Sequence, residues 1–301
     1  MTTNPRRIGL IGLGEVGQVL ANDLHRAGGV DLCAWDRLFA VEGSEPQRAA
    51  AALSFLSAAG SMAEAVRARS LVISAVTAGE CRAAAAEAAP ALGRGTFYLD
   101  LNSVSPRTKA EAARTVEAAG GRYVEAAVMS PIAPQRIASP VWLGGPHARE
   151  FLPLAQSLGF TAAAMYSDTL GEASAAKMCR SVIIKGMEAL LAESLLTARR
   201  HGVEDAVLAS LKDLFPVGDW RKLARYMISR SLQHGRRRAE EMQEAVRTVA
   251  EAGLEPWMSR GCVERQQWAA GHAEALRREV LTEMLDDMLA RTPAPERSQE
   301  A

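Results

Sequence analysis

The stretch Ile8-Gly9-Leu10-Ile11-Gly12-Leu13-Gly14-Glu15-Val16-Gly17 decides the fold. A short apolar run, Ile8 to Ile11, leads straight into Gly12-x-Gly14-x-x-Gly17, and helix-like sequence follows from Gln18 to Arg26. A second apolar run, Val30 to Trp35, ends at Asp36. Strand, glycine turn, helix, strand and terminal acid form the order of a dinucleotide-binding βαβ unit. Gly12 permits the tight turn, Gly14 lets backbone approach a pyrophosphate, and Gly17 lets the helix pack close to the strand. Leu13, Glu15 and Val16 complete the turn, where the N–H groups and dipole of the helix N-terminus favour phosphate. Asp36 is spaced to accept hydrogen bonds from the adenosine ribose hydroxyls.

Outward from that unit, β-like and helix-like runs alternate as far as about Pro146. The candidate strands are Arg7–Ile11, Asp31–Trp35, Leu71–Ala75, Thr96–Asp100, Arg122–Ala126 and Val141–Leu143. Ala/Glu/Arg-rich segments between them, such as Cys81–Ala89 and Arg107–Ala119, read as helices. Such alternation predicts a parallel, doubly wound α/β sheet of Rossmann type, with its ligand crevice at the carboxyl ends of the strands. Val76-Thr77 and Asn102-Ser103 follow two of those ends and are candidate cofactor contacts.

After about Tyr166 the strand signal stops, and an all-α domain is expected. Residues 170–201 read as one long helix, and segments near 204–213, 219–249 and 256–290 as further helices. Pro216-Val-Gly218 and Gly253-Leu-Glu-Pro256 are the expected breaks. The expected organisation is a nucleotide-binding domain over 1–167, an all-α domain over 168–291 used for substrate and dimer contacts, and a disordered polar tail over 292–301.

Composition narrows the function classes. The chain has 301 residues, 48% hydrophobic and 23% charged, with zero formal net charge. Zero net charge gives no electrostatic argument for nucleic acid or an anionic membrane. No apolar run approaches the roughly 20 residues of a membrane span. Cys33, Cys81, Cys179 and Cys262 are scattered with no C-x-x-C pair, which reads as a reduced, cytoplasmic chain without a zinc site. Arg6-Arg7 precedes the apolar residues of the first strand and is not read as an export signal. No His/Asp/Glu group has metal-ligand spacing, so no metal is expected.

The long helix carries the second informative group, Gly171-Glu-Ala-Ser174-Ala-Ala-Lys177-Met-Cys-Arg180-Ser181-Val-Ile-Ile-Lys185. Ser174, Lys177, Ser181, Ile184 and Lys185 share one helix face, with Arg180 on its edge. The small residues before Lys177 allow close approach to another element, and a partly desolvated lysine there would have a pKa lowered toward acid/base values. On composition alone, a solvated surface lysine is the simpler reading.

Four stations in order change that balance: Gly12-Leu-Gly-Glu-Val-Gly17, Asp100-Leu-Asn-Ser-Val-Ser-Pro106, Glu125-Ala-Ala-Val-Met-Ser130 and Gly171 with Lys177. With them, most of the chain resembles the β-hydroxyacid dehydrogenase superfamily, which includes 6-phosphogluconate and 3-hydroxyisobutyrate dehydrogenases. Lys177-Met-Cys-Arg-Ser181 and His234-Gly-Arg-Arg-Arg-Ala-Glu-Glu-Met242 resemble a 6-phosphogluconate-dehydrogenase-like subfamily with its own helical domain. The resemblance implies that Lys177 is the general acid/base for a substrate hydroxyl, that Ser181 orients substrate, and that Asn102-Ser103 lies near nicotinamide and the substrate carboxylate. It also implies a cleft between two domains that holds Lys177.

The chain departs from the family pattern where substrate is held. The family's D-A-P-V-S-G-G loop reads Glu125-Ala-Ala-Val-Met-Ser130-Pro131, so both glycine N–H groups are lost as carboxylate donors, and proline donates nothing. Ser181 replaces the family's asparagine, and Glu240-Glu241-Met242 stands where K-D-L is expected. These changes argue against 6-phosphogluconate and 3-hydroxyisobutyrate as substrates. Ser130 remains a candidate contact. Arg180, Lys185, Arg237 within Arg236-Arg237-Arg238, and His234 are candidates for an acidic group. The arginine run reads equally as a solvated face paired with Glu240, Glu241 and Glu244.

Asp36 favours NAD, because a carboxylate repels the 2′-phosphate of NADP. Arg37 beside it leaves NADP open, by stacking on adenine or pairing with a phosphate. The expected function is an NAD(P)-dependent dehydrogenase of a small hydroxy acid, acting as a homodimer. Ala127-Val-Met-Ser-Pro131 also resembles imine reductases, although those generally replace the lysine. A non-catalytic NAD(P)-binding protein is the alternative of a different class, and Lys177 argues against it too.

Overall fold

The structure is a computed structural model, and it describes residues 6–211 and 218–292. The first half runs β1 (Arg6–Ile11), α1 (Glu15–Ala27), β2 (Val30–Trp35), α2 (Glu45–Ala52), β3 (Leu56–Ala58), α3 (Met62–Val66), β4 (Leu71–Ser74) and α4 (Cys81–Ala88). It continues with β5 (Phe97–Asp100), α5 (Pro106–Ala118), β6 (Arg122–Val128), α6 (Ile132–Gln135), β7 (Val141–Gly144), α7 (Ala148–Ser157) and β8 (Ala163–Ser167). The second half is helical: α8 (Glu172–His201), α9 (Glu204–Ser210), α10 (Trp220–Glu251), α11 (Trp257–Ala269) and α12 (Leu281–Ala290).

The eight strands form one sheet in the order β3-β2-β1-β4-β5-β6-β7-β8. All neighbours pair parallel except β6 and β7. The purely parallel sheet read from the sequence is corrected here. Only residues 129–140 connect β6 to β7, with nothing longer than α6 inside them. A parallel return is usually carried by a helix that spans the sheet, and the single turn of α6 is too short for that, so β7 turns back beside β6. The strand order reverses between β1 and β4, which opens the crevice where such sheets bind ligands.

Burial on both faces explains the continuous apolar runs. Every residue of β4 and β5 is buried. Alternate side chains feed two cores: Leu10, Ile73, Leu99 and Val124 pack with Leu20, Leu24 and Phe151, while Ile11, Val72, Tyr98 and Tyr123 pack with Met62, Ala85 and Val116. Two strands, β3 and β8, lie outside the sequence expectation. Both are sheet edges. β3 buries only Leu56 of three residues, and β8 buries only Ala163 of five, its run Ala-Ala-Met-Tyr being mostly half-exposed or exposed.

The chain folds as two compact units, Met1–Cys179 with Glu251–Gly253, and Arg180–Ala250 with Leu254–Ala301. The division falls inside α8. In the second unit Leu195, Leu196, Trp220, Ile228, Leu232, Met284, Leu285 and Met288 form the core. The backbone of α10 leaves helical geometry at His234. At Gly235 it passes so close to α11 that a Cβ would stand 2.5 Å from the Gln266 carbonyl oxygen. The helical run expected over 256–290 is interrupted by a 3-10 segment, Ala270–Arg277, with His272 off helical geometry. The expected break at Pro216-Val217, the end of the 204–213 segment and all but Thr292 of the expected tail lie outside the described residues.

Candidate active site

The glycine turn follows the steric reading of the sequence. Gly12 has φ +92, and a Cβ there would lie 2.4 Å from the Ala75 carbonyl oxygen. A Cβ on Gly17 would lie 2.1 Å from the Gly12 carbonyl oxygen, so α1 packs against the turn with no room for a methyl group. Gly14 differs, because nothing lies within 4 Å of where its Cβ would be. It is the N-cap of α1, no side chain caps the helix there, and the open space above it suits a pyrophosphate. Asp36 follows β2 with both carboxylate oxygens oriented by backbone: Leu13 N donates to Oδ2 at 2.8 Å and Leu38 N to Oδ1 at 2.9 Å. Each oxygen keeps a lone pair for a ribose hydroxyl. Arg37 is exposed and ion-paired with Glu80, which follows β4.

The ends of β4 and β5 are joined by one side chain. Val76 N donates to Asn102 Oδ1 at 2.8 Å, and Asn102 Nδ2 donates to Ser74 Oγ at 3.0 Å. Asn102 N in turn donates to Asp100 Oδ1 at 2.8 Å. Asp100 is wholly buried and paired with Lys109, itself 1% exposed, whose Nζ lies 3.0 Å from Oδ1 and donates to the Asp100 carbonyl oxygen at 2.9 Å. Tyr123 Oη at 2.5 Å and Cys81 Sγ at 3.3 Å donate to Oδ2. Burial and the Asp100 charge push the Tyr123 phenol and the Cys81 thiol well above their ordinary values, so both remain donors at neutral pH. The sequence reading named Asp100 only as the first residue of its station and passed over its partners Lys109 and Tyr123; a lone acid ending the apolar run Phe97-Tyr-Leu was the available signal.

β6 ends at the loop that replaces the family's glycine pair. Ser130 Oγ is buried and accepts or donates no hydrogen bond among the described residues. Beyond it, Arg136 takes φ +55 and ψ −135, a region that costs a non-glycine residue about 1–3 kcal/mol. Asp23 of α1 offsets that cost. Arg136 Nε donates to both its oxygens, at 2.9 and 3.1 Å, and Ile137 N donates to Oδ2 at 3.1 Å. The loop is thereby pinned to the helix behind the glycine turn.

The start of α8 is held by a residue that the sequence reading named only as the first of a motif, without a role of its own. Glu125 of β6 is 0% exposed, and its Oε2 accepts from Gly171 N at 2.6 Å while its Oε1 accepts from Ser174 N at 2.5 Å. A single acid inside the apolar strand Tyr-Val-Glu-Ala-Ala-Val was the signal for it. Gly171 has φ +99, and a Cβ there would stand 3.2 Å from Cβ of Pro106, at the end of the Asn102 loop. Lys177 follows on the same helix, half-buried and within the first unit.

The remaining candidates lie in the second unit. Lys185 is buried, 2.6 Å from Glu241, and donates to Ser181 Oγ at 3.2 Å. Arg237 Nε is 3.8 Å from the same Glu241, and Arg238 pairs with buried Glu188. Burial raises the Glu188 carboxyl and lowers the Arg238 guanidinium, each against the pull of its partner. Arg237 faces Glu241, as the solvated-face reading of the arginine run has it, whereas Arg238 is largely buried and pairs with Glu188, a partner that neither reading named. Arg180 is exposed and pairs with no described carboxylate, and half-buried His234 sits at the bend of α10. Among the described residues no group of three or more His, Cys, Asp or Glu could hold a metal ion, and no helix is long and apolar enough to cross a membrane.

Comparison with known proteins agrees with this geometry. The family described as the NAD binding domain of 6-phosphogluconate dehydrogenase matches residues 7–148, and a domain of unknown function (DUF1932) matches residues 198–269. A conserved hypothetical protein from Sinorhizobium meliloti 1021 is 34% identical, with 95% of this chain and 97% of that chain covered and a TM-score of 0.71. A conserved protein of unknown function, described as structurally similar to 3-hydroxyacid dehydrogenases, is 30% identical over 88% of this chain and 97% of its own, with a TM-score of 0.66. The fold alone is shared with 3-hydroxyisobutyrate dehydrogenase of Mycobacterium tuberculosis, at 17% identity, 94% and 98% coverage and a TM-score of 0.67. An imine reductase of Streptomyces aurantiacus shares it at 18% identity, 94% and 99% coverage and a TM-score of 0.54. The first domain is an NAD(P)-binding domain. The chain belongs to the β-hydroxyacid dehydrogenase superfamily, in the 6-phosphogluconate-dehydrogenase-like branch that joins this domain to a divergent helical one.

Proposed function

We propose that the protein is an NAD(P)-dependent dehydrogenase of a small hydroxy acid, with Lys177 as general acid/base. One observation carries the reading: the helix bearing Lys177 starts against Pro106, at the end of the loop that presents Asn102 and Ser103. The residues fit the cofactor. Gly12–Gly17 would take the pyrophosphate, Asp36 the ribose, and Val76, Thr77 and Asn102 the nicotinamide end, where the bound ring supplies the hydride acceptor.

The chain's own part is proton handling and orientation. The half-buried Lys177 amine removes the hydroxyl proton as the carbon is oxidised and returns it in the reverse direction. Ser130 Oγ, already desolvated, loses nothing further on bonding a substrate oxygen. Ser103 and Ser181 are further orienting groups. Of the cations, Arg180 is the best placed in chemical terms for an acidic group, because Lys185 and Arg237 already face Glu241. Asp36, together with the Arg37–Glu80 pair, supports NAD over NADP.

A homodimer is the reading supported by Ile183 and Leu190, two exposed apolar side chains one heptad apart on α8. Four unpaired cysteines support a reducing, cytoplasmic setting. The deciding experiment follows nicotinamide absorbance over a panel of 3-hydroxy acids, aldonic acids and their phosphates, with NAD and NADP, for wild type and Lys177→Ala. The expected result is turnover of one class, lost in the variant while cofactor affinity is kept. Tight cofactor binding without turnover of any acid would overturn the dehydrogenase reading. Turnover of cyclic imines instead would assign imine reduction.

A further inference from the structure

We propose that Glu125 is a positioning residue for Lys177: its buried carboxylate fixes the first turn of α8 and so sets where the lysine amine stands. The proposal rests on the reading of Lys177 as acid/base. The geometry behind it is specific. A helix leaves its first N–H groups without intrahelical partners, and they are normally satisfied by a side chain just before the helix. Here the cap comes from another element: both oxygens of Glu125, in the middle of β6, accept at the start of α8, from Gly171 N just before the helix and from Ser174 N in its first turn. The anion also faces the positive end of the α8 dipole.

Two glycines make room for this arrangement. Gly171 reaches φ +99 to aim its N–H at the carboxylate, and Gly144, paired with Glu125 across β6 and β7, leaves the space that the carboxylate fills. A Cβ on Gly144 would stand 2.8 Å from Glu125 Oε2 and 3.4 Å from Cβ of Ala173. Ser174 is also locked by its own side chain, whose Oγ donates to the Gly171 carbonyl oxygen at 3.0 Å. Lys177 lies one turn beyond Ser174 on the same face, about 5–6 Å between Cβ atoms. It is only about 9 Å along the axis from Gly171. A shift of the first turn is therefore transmitted to the amine, and a misplacement of about 1 Å can cost about 100-fold in rate.

The test uses the full-length protein and three variants: Glu125→Gln, Glu125→Asp and Gly144→Ala. Gln keeps the shape but turns an N–H₂ group toward one of the two N–H donors. Asp keeps the charge but falls one methylene short. Gly144→Ala keeps Glu125 and displaces its carboxylate. Amide hydrogen exchange of residues 171–178 and the pH dependence of Lys177 acylation by acetic anhydride are read without substrate. Turnover is then read on the acid that the panel identifies.

In Glu125→Gln the expected results are faster exchange at Gly171 and Ser174, with β1 and β4 unchanged, and a Lys177 acylation profile displaced from that of wild type because the first turn that carries the amine has moved. The expected kcat falls by about tenfold or more at unchanged KM for the cofactor, with Glu125→Asp and Gly144→Ala intermediate. Fast exchange with an unchanged acylation profile and unchanged kcat would overturn the proposal, leaving Glu125 a structural cap. Turnover that survives Lys177→Ala would overturn the acid/base reading, and that failure is recognised because the exchange and acylation results stand without it.

Discussion

Replacing Lys109 with methionine tests whether the Asp100 cluster is a paired charge that holds the nicotinamide loop. The two side chains are 1% and 0% exposed and 3.0 Å apart, and Lys109 also bonds the Asp100 carbonyl oxygen. Methionine has the length to fill the lysine's volume, so the variant isolates the charge from the packing. Removing one member of a buried pair strands the other and typically costs about 3–5 kcal/mol. For a domain of this size each kcal/mol moves Tm by about 2–4 °C, so the expected loss is about 6–20 °C. Calorimetry of the apo protein measures it. The double variant Asp100→Asn with Lys109→Met removes the stranded charge and keeps an oxygen to accept from Asn102 N. It is expected to recover at least half of the loss. NADH affinity, read by fluorescence, is expected to fall by up to about tenfold in the single variant, because Asn102 N is held by Asp100 and Asn102 Oδ1 holds Val76 N. A single variant within about 1 kcal/mol of wild type, or a double variant less stable than the single one, would refute the reasoning.

Further outcomes follow from an exposed ion pair and from the buried thiols. Glu80→Gln frees Arg37 from an exposed ion pair of the kind worth at most about 1 kcal/mol, so NADP is expected to bind up to about 5-fold tighter while NAD changes little; equal changes for both cofactors in isothermal titration would remove Glu80 from cofactor choice. Burial raises the thiols of Cys33, Cys81 and Cys262, the last to about 11 from 9.0. The folded chain therefore keeps protons that the unfolded chain releases. That stability is complete below pH 9 and is lost as pH rises, for Cys262 through about 11. Melting temperatures should fall between pH 9 and 11, and at pH 8 only the exposed Cys179 should react with a thiol reagent before unfolding.

Local chemistry in the sequence was enough for the glycine turn, the strands β1, β2 and β4 to β7, and the helix that carries Lys177. The spacing of glycines in a turn, continuous apolar runs and helical periodicity are properties of a few neighbouring residues, and they can be read before any distant contact is known. Acid and base pairings are of another kind. Glu125 reads as one more charged residue until β6 is placed under the first turn of α8, and Lys185 reads as an anion site until α10 brings Glu241 to 2.6 Å. The antiparallel course of β7 and the edge strands β3 and β8 likewise depend on which neighbour each strand finds. A buried charge takes its meaning from the group that answers it, and that group is chosen by the fold over separations that no local pattern records.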